Sequence, residues 1–128
     1  MFKLIRIENG RLNVPEPVIY EVGATAVTIG EALVLSGGKL VACSGATKPE
    51  FIAMGNAGAG EKVAVCHVES NQVYEVPVSA APTSLKAGDK VTVATDGLAV
   101  TATTSDGVVT IINTNGATKA GDTIVVRI

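Results

Sequence analysis

Cys66 and His67 stand side by side, and together they are the residue types of a thiolate nucleophile activated by an imidazole. That chemistry needs the two side chains within hydrogen-bond reach of each other. Residues 63–68 alternate as a strand does, and neighbouring side chains of a strand point to opposite faces, so the pair is expected to be held apart with His67 on the solvent side. Zinc would ask for several Cys or His ligands in clustered spacing, whereas His67 is the one histidine and the two cysteines, Cys43 and Cys66, lie far apart. The cysteines are read instead as reduced, buried thiols. Asp89, Asp96, Asp106 and Asp122 could be imagined as paired carboxylates or calcium ligands, but each adjoins a glycine in a turn dipeptide and none lies in an EF-hand pattern. Lys119 is the loose candidate for a lipoyl or biotinyl attachment, which needs a lysine at a hairpin tip; the tips here read Gly-Gly and Asp-Gly. Neither a phosphate-binding glycine loop nor a nucleophile elbow occurs. No catalytic residue, metal or cofactor is therefore assigned.

The turn aspartates lead to the elements that carry them. The phrase "KAGDKVTV" at 86–93 returns as "KAGDTIVV" at 119–126, with weaker copies "IGEALVL" at 29–35 and "AGEKVAV" at 59–65. The pairs Gly30/Glu31, Gly60/Glu61, Gly88/Asp89 and Gly121/Asp122 recur about every 30 residues, a spacing typical of repeated supersecondary units. Glycine supplies a position with positive φ, the acid hydrogen-bonds back into the turn, and the alternation that follows sends every second residue to the core. Gly30, Gly60, Gly88, Asp89, Gly121 and Asp122 are thus assigned to structural turns.

Gly37-Gly38, Asp96-Gly97 and Asp106-Gly107 each separate two apolar runs and read as tight hairpins. A loop at Asp96-Gly97 pairs Val93 with Val100 and Val91 with Ala102; continuing through the next turn pairs Ala102 with Ile111 and Thr104 with Val109, which makes residues 90–113 a three-stranded meander. Further strands are expected at 3–7, 18–22, 32–35, 40–43, 51–54, 63–68, 73–78 and 123–127, with "SAAPTSLKAG" as a linker between sheet layers. No segment holds a helical period. The fold class is all-β, a compact β-barrel or sandwich of short antiparallel strands with an extended N-terminal arm. Pro15 and Pro17 keep the segment around them out of a sheet centre, so residues 1–22 are divided off as an extended arm or edge strand and 23–128 as the body.

Composition narrows the role. The chain has 128 residues, 47% of them hydrophobic but with no Trp, two Tyr and two Phe, so its core must be built from Val, Ile, Leu and Ala. A net charge of −2 without a basic cluster lacks the phosphate-neutralising footprint of a nucleic-acid binder, and four aromatic residues offer little for bases to stack on. No apolar run is long enough to cross a bilayer as a helix, and "MFKLIRIENGRL" does not read as a signal peptide, so use without export is expected.

The order "ENGRLNVPEPVIYEVG", "GEALVLSGGKLVACSGATKPEFIAMG" and then Gly-Asp hairpins resembles the decoration proteins of tailed bacteriophages, the head-stabilising or capsid cement family. "GRLNVPEP", "GEALVLSGGKL" and "TKPEFIAMG" carry the resemblance. It implies a structural virion protein without enzymatic activity, made in the host cytoplasm. Such a protein sits on the outer capsid surface, often as a homotrimer, and bridges neighbouring copies of the major capsid protein. Arg11, Asn13, Val14, Pro15, Pro17, Val18 and Tyr20, in the proline-bearing segment, are the expected capsid contacts, because an extended arm can add to the edge of a neighbour's sheet. The alternative is a carbohydrate- or cell-surface-binding β-domain of a phage or bacterial appendage.

Overall fold

In each of the four turn phrases, the carbonyl three residues before the acid accepts the acid's own N–H: Thr28 from Glu31, Gly58 from Glu61, Lys86 from Asp89 and Lys119 from Asp122. The third residue of every turn is glycine, with φ of 77° at Gly30 and Gly60, 94° at Gly88 and 90° at Gly121. That combination is the signature of a type II turn, whose third position excludes most L side chains. The side chains of Glu31, Asp89 and Asp122 then reach back. Glu31 Oε2 accepts the N–H of Thr28 at 2.8 Å, Asp89 Oδ2 that of Lys86 at 2.8 Å, and Asp122 Oδ2 those of Thr118 and Lys119.

Each turn is also welded to a distant strand by the same bond pattern. The glycine N–H donates to the carbonyl of one residue, and that residue's N–H donates back to the carbonyl of the acid; the residues are Ala53, Val22, Ile111 and Val78 for the four turns in chain order. Two residues facing one make a β-bulge with glycine at its left-handed position. The phrase therefore both starts a strand and fixes its partner.

The computed structural model describes residues 1–8 and 16–128. Their strands are β1 (Lys3–Ile7), β2 (Pro17–Glu21), β3 (Ala32–Ser36), β4 (Lys39–Ala42), β5 (Phe51–Ala53), β6 (Lys62–His67), β7 (Gln72–Pro77), β8 (Lys90–Val91), β9 (Val109–Asn113) and β10 (Thr123–Arg127). They form two five-stranded antiparallel sheets packed as a sandwich, one in the order β2-β6-β5-β3-β4 and the other β1-β7-β10-β9-β8. The β3–β4 hairpin turns on Gly37 and Gly38, both at positive φ as a type I′ turn demands.

The two sheets are one design used twice. The order β2-β6-β5-β3 in the first matches β7-β10-β9-β8 in the second, and the registers superpose. Val18↔Val65 and Tyr20↔Val63 correspond to Tyr74↔Val126 and Val76↔Ile124, and Leu33↔Phe51 corresponds to Val91↔Val109. Even the closing contact repeats: Val22 bridges Leu40 in parallel, and Val78 bridges Val100 likewise. The four turn phrases are thus two pairs, Gly30 matching Gly88 and Gly60 matching Gly121.

Each half wraps its own core. Val22, Leu33, Leu40, Phe51, Val63 and Val65 fill the first; their counterparts Val78, Val91, Val100, Val109, Ile124 and Val126 fill the second. The second core also takes Phe2, Ala32, Cys43 and Ile52 from before β6, so the outer face of the first sheet packs onto the second half.

Two sequence expectations are corrected. Val93 does pair with Val100, but Val109 pairs with Val91 and Ile111 lies opposite Val126, so residues 98–104 are not the middle strand of a meander. The reason is Gly107, which passes so close to the backbone of Lys90 that a Cβ there would lie 2.3 Å from its carbonyl carbon; the chain crosses to the far side of β8 before β9 begins. The segment "SAAPTSLKAG" joins β7 to β8 of one sheet and buries Leu85 in that sheet's core, instead of linking layers.

Candidate functional site

Residue by residue, the reactive side chains fall apart. On β6, Val63 and Val65 point into the first core and His67 follows on that side at the exposed end, its ring 4.6 Å from that of Phe51. Cys66 points the other way, its Sγ 3.2 Å from Met54 Sδ, with its thiol pKa pushed up by burial. Cys43 is buried, donates to the Thr47 carbonyl at 3.0 Å, and is pushed up to about 11 by burial and then by the Glu50 carboxylate. Neither cysteine is poised as a thiolate. Asp96 Oδ1 accepts the Leu98 N–H, and backbone donors from Thr118 and Lys119 hold the Asp122 carboxyl below its ordinary range. Among the described residues, no three His, Cys, Asp or Glu side chains come together as a metal site.

What the fold does gather is apolar surface. Phe2 donates its N–H to the Gly30 carbonyl and stacks edge-on against Tyr74, which pins β1 where the two sheets meet. Around that seam Met1, Leu4, Ile29 and Met54 are exposed, rimming a groove of about 310 Å³ floored by Phe2, Ile52, Cys66 and Tyr74. The surface continues across the first sheet: Ile19 lies opposite Ala64, whose carbonyl accepts the Met54 N–H, so Ile19 and Met54 share one outer face. Grouped exposed apolar side chains are uncommon on a surface with no partner.

Of the expected contact residues, Arg11, Asn13, Val14 and Pro15 lie outside the described residues. Pro17, Val18 and Tyr20 are in β2, at the edge of the first sheet. Pro17 is exposed, while Val18 and Tyr20 are half-buried against the first core, with the Tyr20 ring 5.3 Å from Phe51. The residue between them, Ile19, is 66% exposed and was not singled out by sequence. Its signal was available in "PVIYE", where three bulky residues in a row must place one outward. Ile29 carried a signal too, since the other three turns hold alanine at that position, Ala59, Ala87 and Ala120.

Charge is spread thinly around this surface. Lys39 and Glu21 pair at 2.7 Å across the β2–β4 side, and Arg127 pairs with Glu8 at the end of β1. Among the described residues the one deeply placed carboxylate is Glu31, 6% exposed, where burial raises its pKa and nearby Asp96 adds to the effect.

No protein-family model matches the chain, and no curated protein matches its sequence. In structure it is similar to the head fiber gp8.5 N base of bacteriophage phi29, with a TM-score of 0.63 and 16% identity over 88% of this chain and 94% of that one. At that identity the likeness is one of fold, and it spans most of the chain.

Proposed function

We propose that this protein is a structural component of a phage virion, bound to the outer surface of the assembled head, where it bridges neighbouring major capsid subunits and so stabilises the shell. The observation that carries the reading is the likeness, over nearly the full length of both chains, to the base of a head fiber. The apolar seam supports it, since exposed apolar surface of this kind is a natural contact for another polypeptide. A partner that binds the assembled lattice and not its dissociated subunits shifts the equilibrium toward assembly by mass action. A homotrimer fits such a site, one pair of patches repeated by rotation until the ring closes. The expected contacts are Arg11, Asn13, Val14, Pro15, Pro17, Val18 and Tyr20, joined by Ile19 and the seam. All four aromatic rings are used in packing, Phe2, Phe51 and Tyr74 buried and Tyr20 half-buried, so sugar-stacking surface is scarce and the glycan-binding alternative is disfavoured.

Capsids lacking the protein should assemble but rupture at lower temperature or under osmotic shock, and added protein should restore them. Cosedimentation with mature capsids and with unexpanded precursor shells tests occupancy. Unchanged rupture with sites filled would remove the stabilising role.

A further inference from the structure

In the second half, β1 lies along the outer edge of β7, with Lys3 opposite Glu75 and Leu4 opposite Tyr74. The duplicated design makes β2 the counterpart of β7, so the same edge exists in the first half. There Ile19 stands in the place of Glu75, and Val18 in that of Tyr74. Among the described residues no strand lies along it; Leu40 closes only its far end, at Val22.

Among the described residues, nothing bonds the outward backbone groups of this edge. Val22 spends both its groups toward β6, on Gly60 and Glu61. Alternation along the strand then turns Val18 and Tyr20 toward β6 as well, and turns the N–H and C=O of Ile19 outward. The second half obeys the same rule, with Val78 bonded to the turn before β10 and Pro77 turning its carbonyl away to accept the Val100 N–H.

We infer that the β2 edge is a strand-acceptor slot, and that its occupant is an extended segment of a capsid subunit that pairs antiparallel to β2, as β1 pairs with β7. The side chains specify the occupant further. Where β1 sets a lysine against Glu75, the occupant must set an apolar residue against Ile19, followed by a second apolar residue against Val18. A second copy's β1 would place Lys3 on Ile19 and is a poor match. That the strand comes from a capsid rests on the proposed virion role; the slot itself does not.

The test has two arms. A synthetic peptide of residues 2–8 carrying Lys3→Val, added to the full chain, should slow exchange of the Ile19 amide about tenfold or more, and the parent peptide less, as main-chain pairing requires. An Ile19 amide already as protected as that of Glu75 in the free chain, no slowing, or changes on β7 instead would overturn the slot. With mature capsids, Ile19→Pro removes the outward donor at an edge position that tolerates proline, and Ile19→Glu copies the residue at the equivalent place; each should weaken cosedimentation about tenfold with the melting temperature unchanged. Equal binding of the variants and the wild type would overturn the capsid occupant, as would self-association of the wild type that Ile19→Pro abolishes. A wild type that never sediments with capsids, while the peptide result holds, refutes the virion role and leaves the slot in place.

Discussion

The two halves share a framework and differ at one edge. In the second half, β1 covers β7, and Tyr74 and Val76 are sealed at 2% and 0% exposure. In the first half the equivalent Val18 and Tyr20 are only half-buried, and Ile19 between them is open. Repetition sets the common framework of the molecule, and the departures from repetition mark where apolar surface is left uncovered among the described residues. Ile29 in place of alanine, Ile19 in place of glutamate, and the added strand β1 all lie on or beside the apolar surface at the seam.

The largest effect that would sharpen this contrast is a matched truncation. Val76→Ala should cost about 2–3 kcal/mol, the lost transfer energy plus a cavity, whereas Val18→Ala on the uncovered strand should cost about 1 kcal/mol. Urea denaturation of both variants checks it, and equal losses would break the idea that the first half is left open. Next come the turn glycines. Alanine at Gly60, Gly88 or Gly121 meets nothing within 4 Å, so each should cost only the left-handed backbone penalty, about 1–2 kcal/mol. Gly30→Ala should cost the most of the four, because its Cβ would lie 2.5 Å from that of Met1 and displace the residue that rims the seam. A Gly30 variant no worse than the others would separate β1 from the turn beneath it.

The smallest effect is a pH dependence from the same turn. Glu31 is buried whereas its counterpart Asp89 is half-exposed. The folded chain holds the Glu31 proton more tightly than the unfolded chain does, so wild-type stability is undiminished below the ordinary value of 4.5 and declines as pH rises above it. Melting temperatures against pH should show Glu31→Gln gaining on the wild type across that interval. Parallel curves would mean that Glu31 is as well solvated as Asp89.

Much of the fold was legible because it is written locally. A glycine followed by an acid and then by alternating apolar residues encodes turn, back-bond and strand within one phrase, which is why the all-β class and most strand positions can be read from the chain. The pairing of phrases into two halves was not legible, since each turn chooses its partner residue at a distance, Gly30 finding Ala53 and Gly88 finding Ile111. The meander failed for a related reason: Val109 and Ile111 face the core whichever strand they pair with, and only the close pass of Gly107 over Lys90 decides between them. The apolar surface was half hidden. Pro17 pointed to an edge, but the exposed Ile19 reads as one more core side chain until the strand's facing is known.

The membership of the two cores carries an order in time. Every residue of the first lies between Val18 and Val65, so that half has all its parts while the rest of the chain is still being synthesised. The second needs Phe2, Ala32, Cys43 and Ile52 and is built against a face that the first half presents. Maturation should accordingly run from the N-terminal half to the C-terminal one, the earlier unit acting as a template on which the later one condenses. Pulse-labelled amides at Leu33 and Val65 would then gain protection before those at Val91 and Val126, and simultaneous protection would mean that the two copies, however alike, assemble as a single event.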